Sequence, residues 1–404
     1  MEGIILKKAP LWTKDFTSLC FSSFFLFMTF YILLTTLPFF ILERLHEAEE
    51  SVGLATTTFL IASVLIRPFA GKWLETLNRK KIILTSLLGT VFISIFYLFV
   101  HSFTMLLTLR FLQGLAFGLA TTATSAIAAE IVPKSRKGEG IGYFSLSMTL
   151  AMVFGPFLGL TIIQYTSFNI LFMSIVFFAI ISFSLGTILK IPPVPKATIS
   201  TNKTESKKFT IHNYIEVAAI PIASSAAIFG IAYSSLLSYI PLFAAEIHLQ
   251  SIASFFFIVF AFVVILSRPF TGKWYDLYGA NKLIYPALIV FTSGFLLLSM
   301  TNNAFLFFFS AAVIALGYGA TLPSFQTMAI ESVPIHRSGM ATSTFFLLFD
   351  IGFGLGSFIN GLIAAKFGYS LMFIICAIFS VLSMVLYYLL SHRSKTQNNN
   401  VLIH

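Results

Sequence analysis

The chain has 404 residues, of which 57% are hydrophobic and only 10% are charged. A soluble domain carries about 25% charged residues, so this composition excludes an ordinary soluble protein and places most of the chain in lipid. Lysine and arginine outnumber the acids by 25 to 15. In a soluble chain that excess would suggest nucleic-acid binding, but here it is typical of cationic loops beside a membrane, and no nucleic-acid partner is predicted. Cys20 and Cys376 both lie in apolar runs, which argues against a disulfide framework or a metal cluster.

Apolar segments follow one another along the whole chain, each near the ~20 residues that a membrane-spanning helix needs. Because backbone groups in lipid must be satisfied within their own segment, we predict that the segments are helices and that the fold is all-α. The twelve predicted spans are 16–42, 52–74, 82–101, 103–130, 139–165, 168–190, 214–246, 250–274, 282–300, 303–331, 338–364 and 368–391.

The basic residues lie mainly in segments that fall on one side of such a membrane protein. They occur near both termini, in the even-numbered loops and between the sixth and seventh spans, whereas the odd-numbered loops hold only Arg44 and Lys366. Since cytoplasmic loops carry the excess of lysine and arginine, we predict a multi-pass plasma-membrane protein with both termini in the cytoplasm. The predicted parts are an N-terminal six-helix bundle at 1–190, a cytoplasmic linker at 191–213, a C-terminal six-helix bundle at 214–391 and a cytoplasmic tail at 392–404.

One sequence occurs twice, at the same place in each half. Residues 67–73 read Arg-Pro-Phe-Ala-Gly-Lys-Trp and residues 268–274 read Arg-Pro-Phe-Thr-Gly-Lys-Trp, at an offset of 201. Other landmarks keep that offset, among them Glu130 with Glu331. The chain is therefore predicted to be two related halves, an arrangement in which transporters bind their substrate between the halves near the membrane midplane.

The segment after each copy carries charge at the end of an apolar run. The first copy has Gly71, Glu75 and Arg79, and the second has Gly272 and Asp276 but lacks the arginine. The glycines would let neighbouring helices cross closely. The pattern resembles the Gly-x-x-x-Asp-Arg-x-Gly-Arg loop motif of the major facilitator superfamily, with Glu75 in place of the aspartate.

Two further motifs carry the same resemblance. Arg110 and Gln113 in the fourth span match the Arg-x-x-Gln-Gly element of that family. Gly155, Pro156 and Gly159 in the fifth span look like the Gly-Pro-x-x-Gly element of its twelve-helix drug:proton antiporters. The resemblance implies two pseudo-symmetric six-helix bundles, a role for Arg110 in proton coupling and a packing seam at the fifth helix that prevents proton leak. It also implies a cytoplasmic latch formed by Gly71, Glu75, Arg79, Gly272 and Asp276, with the first copy supplying most of the charge pairing.

Asp350 is the acid that falls near the middle of a span. A carboxyl group in an apolar site can bind and release protons near neutral pH, so we predict proton coupling at Asp350. Pairing with a cationic substrate or with a structural arginine is the alternative. Arg110 should face a central cavity, because an arginine in hydrocarbon costs at least about 2.5 kcal/mol, or else cap buried carbonyl groups.

Several other polar residues lie inside the spans. Gln113, Gln326 and Asn360 are candidate substrate contacts. Arg67 and Arg268 lie close to the cytoplasmic ends of their spans, and we expect their side chains to extend to the membrane–water boundary.

These features favour a secondary transporter over an enzyme or a receptor. No nucleotide-binding Gly-x-x-x-x-Gly-Lys motif is present, which argues against ATP as the energy source. The prediction is a monomeric proton antiporter, without cofactor or metal, that exports a small amphipathic organic compound such as a drug. Its partners would be the substrate, protons and the lipid bilayer. The alternatives are proton-coupled or facilitated uptake of a nutrient such as a sugar, and export of a metallophore.

Overall fold

The structure, a computed structural model, describes residues 10–47, 49–191 and 214–401. All but the first residue of the predicted linker therefore lies outside the described residues. The described part contains twelve helices that are long and apolar enough to cross a membrane, so the predicted all-α, twelve-helix fold is confirmed.

Six helices form each bundle. The N-terminal bundle consists of α1 (Lys14–Glu43), α2 (Glu49–Thr76), α3 (Arg79–Phe96), α4 (Phe103–Ile131), α5 (Lys137–Tyr165) and α6 (Phe168–Ile188). The C-terminal bundle consists of α7 (Ile220–Glu246), α8 (Ala253–Tyr278), α9 (Ala280–Ser299), α10 (Ala304–Glu331), α11 (Ser338–Phe367) and α12 (Tyr369–Val401). The last helix thus continues beyond 391, where the apolar segment was predicted to end.

Polar side chains immediately before several helices explain where those helices begin. Thr13, Ser102 and Asn303 each accept a hydrogen bond from a first-turn backbone N–H group of α1, α4 and α10. Asn78 does the same for α3, where it accepts from two N–H groups. Such caps satisfy donors that have no partner within the helix. The cap at Asn78 lets α3 begin three residues after α2 ends, and the repeated sequence at 67–73 lies inside α2.

The two bundles meet through α2 with α11 and through α5 with α8. We call the side on which α6 ends and α7 begins the linker face, and the opposite side the far face. Gly71 of α2 and Gly272 of α8, at the crossings, both lie near the linker-face ends of their helices. Gly159 of α5 and Gly361 of α11, toward the far face, instead contact helices of their own bundles. The described conformation is therefore closed at the linker face.

The predicted orientation can be tested by labelling single cysteines in a variant that lacks Cys20 and Cys376. A membrane-impermeant maleimide added to intact cells should label Asn302→Cys, which replaces an exposed far-face residue, and should leave Ser200→Cys unlabelled until the cells are permeabilised. Ready labelling of Ser200→Cys in intact cells would reverse the orientation, and would place the linker face outside.

Candidate functional site

Two glycines let the bundles approach until their backbones touch. A Cβ atom at Gly71 would lie 2.7 Å from the Cβ of Ser343 in α11, and one at Gly272 would lie 2.5 Å from the Cα of Glu139 in α5. Real side chains do not approach so closely, because interiors are already packed to van der Waals contact. The close crossing predicted from these glycines is confirmed, and both crossings join one bundle to the other.

An ion pair crosses the same interface deeper in the membrane. Arg67 of α2 donates to Oδ2 of Asp350 in α11 through Nε at 2.8 Å and through Nη2 at 2.5 Å. Asp350 is the thirteenth residue of the thirty-residue α11, which places it about 18 Å from the linker-face end of that helix. The pair therefore ties the two bundles together close to the middle of the span.

Other groups complete the environment of Arg67. Its Nη1 donates to the hydroxyl of Thr122 in α4 at 3.2 Å, and its guanidinium lies over the ring of Phe346 with 4.9 Å to the centroid. The hydroxyl of Ser343 also donates to the backbone carbonyl of Arg67. Arg67 thus has a carboxylate, a hydroxyl and an aromatic face, which together offset the cost of burying its charge.

The expectation that the side chains of Arg67 and Arg268 extend to the membrane–water boundary was wrong. Only 3% of Arg67 and 2% of Arg268 is exposed. Both lie nine or ten residues before the ends of their helices at Thr76 and Tyr278, about 14–15 Å along the axis. That depth exceeds the reach of the side chain, and a polar partner inside is available to each.

Three tyrosines occupy the centre of the molecule, and we call Tyr31, Tyr233 and Tyr318 the tyrosine cluster. The rings of Tyr233 and Tyr318 stack with centroids 4.5 Å apart, and Tyr31 of α1 interacts with both residues across the interface. The hydroxyl of Tyr233 also donates to Sδ of Met152 in α5 at 3.4 Å. All three tyrosines lie near the midpoints of their helices. They combine apolar ring faces with a polar group, as a site for an amphipathic solute requires.

The acid of the first motif copy faces an arginine of the other bundle. Oε1 of Glu75 lies 3.8 Å from Nε of Arg337, and that Nε lies 2.8 Å from Oε2 of Glu216. Arg337 directly precedes α11, so this group links α2 to the C-terminal bundle.

Arg79 joins a second charged group beside it. It forms an ion pair with Glu130 at the end of α4 and donates to the carbonyl of Leu74 at 2.8 Å. Glu130 in turn accepts from the hydroxyl of Ser338, the first residue of α11, at 2.9 Å. The first motif copy therefore forms ion pairs at the contact between the bundles and next to it.

The second copy uses a helix terminus instead of an ion pair. Asp276 accepts from the backbone N–H of Gly138 at 2.7 Å and from that of Glu139 at 3.1 Å. Both N–H groups belong to the first turn of α5, where a helix offers its N–H groups to outside acceptors and the helix dipole favours negative charge. The five predicted latch residues thus all lie at contacts between the bundles or next to them; the latch role itself stays a prediction.

Arg110 and Gln113 lie inside the N-terminal bundle. Arg110 donates to the carbonyl of Ala55 at 3.2 Å and to Oε1 of Gln113 at 2.9 Å, and it lies over the ring of Phe59. Gln113 also accepts from the hydroxyl of Tyr97 at 2.8 Å. With 1% of its surface exposed, Arg110 does not face an open cavity in this conformation. These contacts match the alternative prediction, in which Arg110 caps buried carbonyl groups.

The glycines of the fifth-helix motif pack α5 against α1. A Cβ atom at Gly155 would lie 2.6 Å from the Cβ of Tyr31, and one at Gly159 would lie 2.9 Å from Cγ2 of Thr36. Pro156 lies inside α5, which continues as one helix around it. The predicted close packing is present, and it adjoins the tyrosine cluster through Tyr31.

The remaining two candidates differ in their surroundings. Asn360 donates to the carbonyl of Ile231 at 2.9 Å and to the hydroxyl of Ser234 at 3.2 Å, so it joins α11 to α7 within one bundle. Gln326 is buried, and its Nε2 atom has no hydrogen-bond partner among the described residues. Gln326 therefore remains a candidate substrate contact, whereas the amide nitrogen of Asn360 is used in the contact between α11 and α7.

The sequence did not reveal the tyrosine cluster or the partner of Asp350. The signal for the tyrosines was weak, since they are three of 14 in the chain. The signal for Arg67 was its place in a repeated motif, which indicated importance but not a partner 283 residues away.

Two related six-helix bundles that meet around a buried, partly polar centre are an arrangement typical of membrane transporters. The family model of the Major Facilitator Superfamily matches residues 19–291 and 250–402. The chain belongs to this superfamily of membrane transporters, and it is not an enzyme.

Relatives and solved structures agree with that membership. The chain is 25% identical to the multidrug resistance protein MdtG of Proteus mirabilis, covering 90% of this chain and 92% of that protein. It is 20% identical to the staphylopine export protein of Staphylococcus aureus, covering 85% and 88%. The crystal structure of the human organic anion transporter MFSD10 has the same fold, with a TM-score of 0.78 at 14% identity over 93% of this chain and 99% of that one.

The crossing at Gly272 can be tested by adding one methyl group. Gly272→Ala should hold the bundles apart at the linker face, because the new Cβ atom would meet the α5 backbone. Spin labels are placed at Lys81 and Lys282, both exposed on that face. The distance between the two labels, measured by electron paramagnetic resonance, should be longer in the variant than in the wild type. Gly354→Ala is the control, since nothing lies within 4 Å of its Cβ position. An unchanged distance in Gly272→Ala would contradict this role.

Proposed function

We propose that the protein exports a small amphipathic organic compound in exchange for protons, by rocking of the two bundles about a central site. The observation that carries the proposal is the position of Asp350. It is a carboxylate near the middle of the span, and it forms an ion pair that joins one bundle to the other. The multidrug and staphylopine exporters among the relatives agree with this direction of transport.

The ion pair couples the proton to the conformation. Charged Asp350 attracts Arg67 and favours the conformation that is closed at the linker face. Removing one member of a buried pair costs about 3–5 kcal/mol, so a proton bound to Asp350 weakens that closure. The linker face can then open, and the proton leaves toward the cytoplasm.

Substrate export follows from the return step. With the linker face open, the tyrosine cluster would be reached from the cytoplasm, and its rings would bind the apolar body of the substrate. Once Asp350 is charged again it re-forms the pair with Arg67, which closes the linker face behind the substrate. A proton therefore moves inward in the step opposite to the one that carries substrate outward.

The latch supports the same closed conformation from the linker face. Glu75 with Arg337, and Asp276 with the first turn of α5, add attraction where the bundles separate. The charged atoms of Glu75 and Arg337 are 3.8 Å apart and both side chains are partly exposed, and ion pairs near the surface contribute only about 0–1 kcal/mol each. The latch is therefore a smaller contribution to closure than the pair deep in the membrane.

Transport into inverted membrane vesicles tests the proposal. An acid interior should drive uptake of one or more fluorescent amphipathic dyes by the wild-type protein. Asp350→Asn should lower this gradient-driven rate by about tenfold or more, since the charge that closes the linker face is lost. Asp350→Glu should retain part of it, and Glu246→Gln, which changes an exposed far-face acid, should match the wild type.

Two results would contradict proton-driven export. One is a wild-type transport rate that does not respond to the pH gradient for any dye, together with full activity of Asp350→Asn. The other is accumulation of a sugar by intact cells that depends on the protein, which would favour nutrient uptake instead.

A further inference from the structure

The duplication makes Arg67 and Arg268 counterparts, since both begin the repeated motif and differ by 201 in number. Their surroundings differ. Arg67 has a carboxylate, a hydroxyl and an aromatic ring as partners. Arg268 has a single hydrogen bond, from Nη1 to the carbonyl of Gly319 at 2.7 Å, and its Nε has no partner among the described residues.

The hydrogen bond from Arg268 to Gly319 has a structural explanation, but that explanation does not require the positive charge of Arg268. Pro323 follows Gly319 by four residues in α10 and has no N–H group to donate to that carbonyl. Arg268 supplies the missing donor. A neutral glutamine could do the same, so the capping of this carbonyl does not account for a buried positive charge.

The acid that neutralises Arg67 has no counterpart beside Arg268 in the part of the chain that the structure describes. At the same offset, Asp350 corresponds to Thr149 in α5, whose hydroxyl donates to the carbonyl of Ser145 in its own helix. The acids nearest the linker face of this interface have other partners. Asp276 accepts from the first turn of α5, Glu139 pairs with Arg136, and Glu331 accepts from Tyr275.

Arg268 nevertheless lies at the interface and next to the central site. A Cβ atom at Gly142 of α5, in the other bundle, would be 3.7 Å from its Nη1 atom. Tyr318 of the tyrosine cluster lies close to it. The void beside the guanidinium, lined also by Gly319 and Ser324, is about 10 Å³, which has room for one water molecule but for no solute.

We propose that Arg268 binds an anionic group, a carboxylate above all, on the transported compound. This inference rests on the proposed export function and names its substrate class. Opening of the linker face separates Gly142 from Arg268 and lets a solute reach the guanidinium, which can hold a carboxylate through two parallel hydrogen bonds. The apolar body of the same solute then lies on the tyrosine cluster.

The substrate would in this way complete the symmetry of the interface. Where α2 meets α11, Asp350 neutralises Arg67, and where α5 meets α8, the bound anion neutralises Arg268. A buried charge without a counter-ion disfavours closure. The anion therefore makes closure behind the substrate more favourable than closure of the empty site.

Two xanthene dyes of opposite charge test the assignment, fluorescein as the anion and rhodamine 6G as the cation. Gradient-driven uptake of each is measured in inverted vesicles, and the ratio of the two rates is the readout. In Arg268→Gln, which keeps a donor for Gly319, the ratio of fluorescein to rhodamine 6G should fall at least about tenfold, the loss expected for a charged hydrogen bond. Lys273→Gln, an exposed change in the same helix, should leave the ratio unchanged.

A second variant supplies the missing acid. Thr149→Asp should place a carboxylate at the position that corresponds to Asp350. That carboxylate should neutralise Arg268 from within the protein and lower the ratio of fluorescein to rhodamine 6G uptake. Arg268→Lys should retain part of the fluorescein rate. These two variants decide the question if Arg268→Gln does not elute as a folded protein in size-exclusion chromatography.

The outcomes separate this inference from the function on which it rests. Gradient-driven uptake of rhodamine 6G without fluorescein, or an unchanged ratio in the folded Arg268 and Thr149 variants, would overturn the anion assignment and leave proton-driven export intact. If neither dye responds to the gradient, the export function fails, and the assignment fails with it.

Discussion

In the closed conformation one ion pair, between Arg67 of α2 and Asp350 of α11, joins the two bundles deep in the membrane. A charge in the middle of a membrane protein is costly unless a partner offsets the loss of water. Here each partner comes from a different bundle, so the charge of either residue is satisfied only while the bundles touch. The glycine crossings allow the contact, since the bundles could not approach to hydrogen-bond distance around larger side chains at Gly71 and Ser343.

Duplication produced two interfaces of the same shape with different chemistry. Gly71 and Gly272 perform the same packing task, and Glu75 and Asp276 both bind the opposite bundle at the linker face. The deeper positions have diverged, because an acid is present in α11 and a threonine occupies the corresponding place in α5. One interface is therefore neutral by itself, and the other presents a positive charge.

Polar groups inside the bundles serve a different purpose from those between them. Arg110, with Gln113 and Tyr97, and Asn360, with Ser234, form hydrogen bonds within a single bundle. Such networks make each bundle rigid, because breaking one bond leaves a buried polar atom without a partner. Two rigid bodies can then move against each other while the polar contacts at their shared interface change.

Hydrophobic length and the repeat at an offset of 201 predicted the twelve helices and the two halves correctly. Those features are local or periodic, and lipid restricts a spanning segment to a helix. The sequence also singled out Asp350 and the packing glycines, since a carboxyl group in an apolar run is costly wherever it lies.

What only the tertiary structure decided is which residues meet. Arg67 was expected near the membrane surface because its distance from the end of α2 was underestimated, and its partner lies 283 residues away. The tyrosine cluster brings together α1, α7 and α10, and no spacing along the chain encodes that meeting. The sequence by itself determined the helices and their order, because lipid acts on each segment separately. The pairing of buried charges was decided by the crossing of helices, because the energy of an ion pair depends on distances that only the packed bundles set.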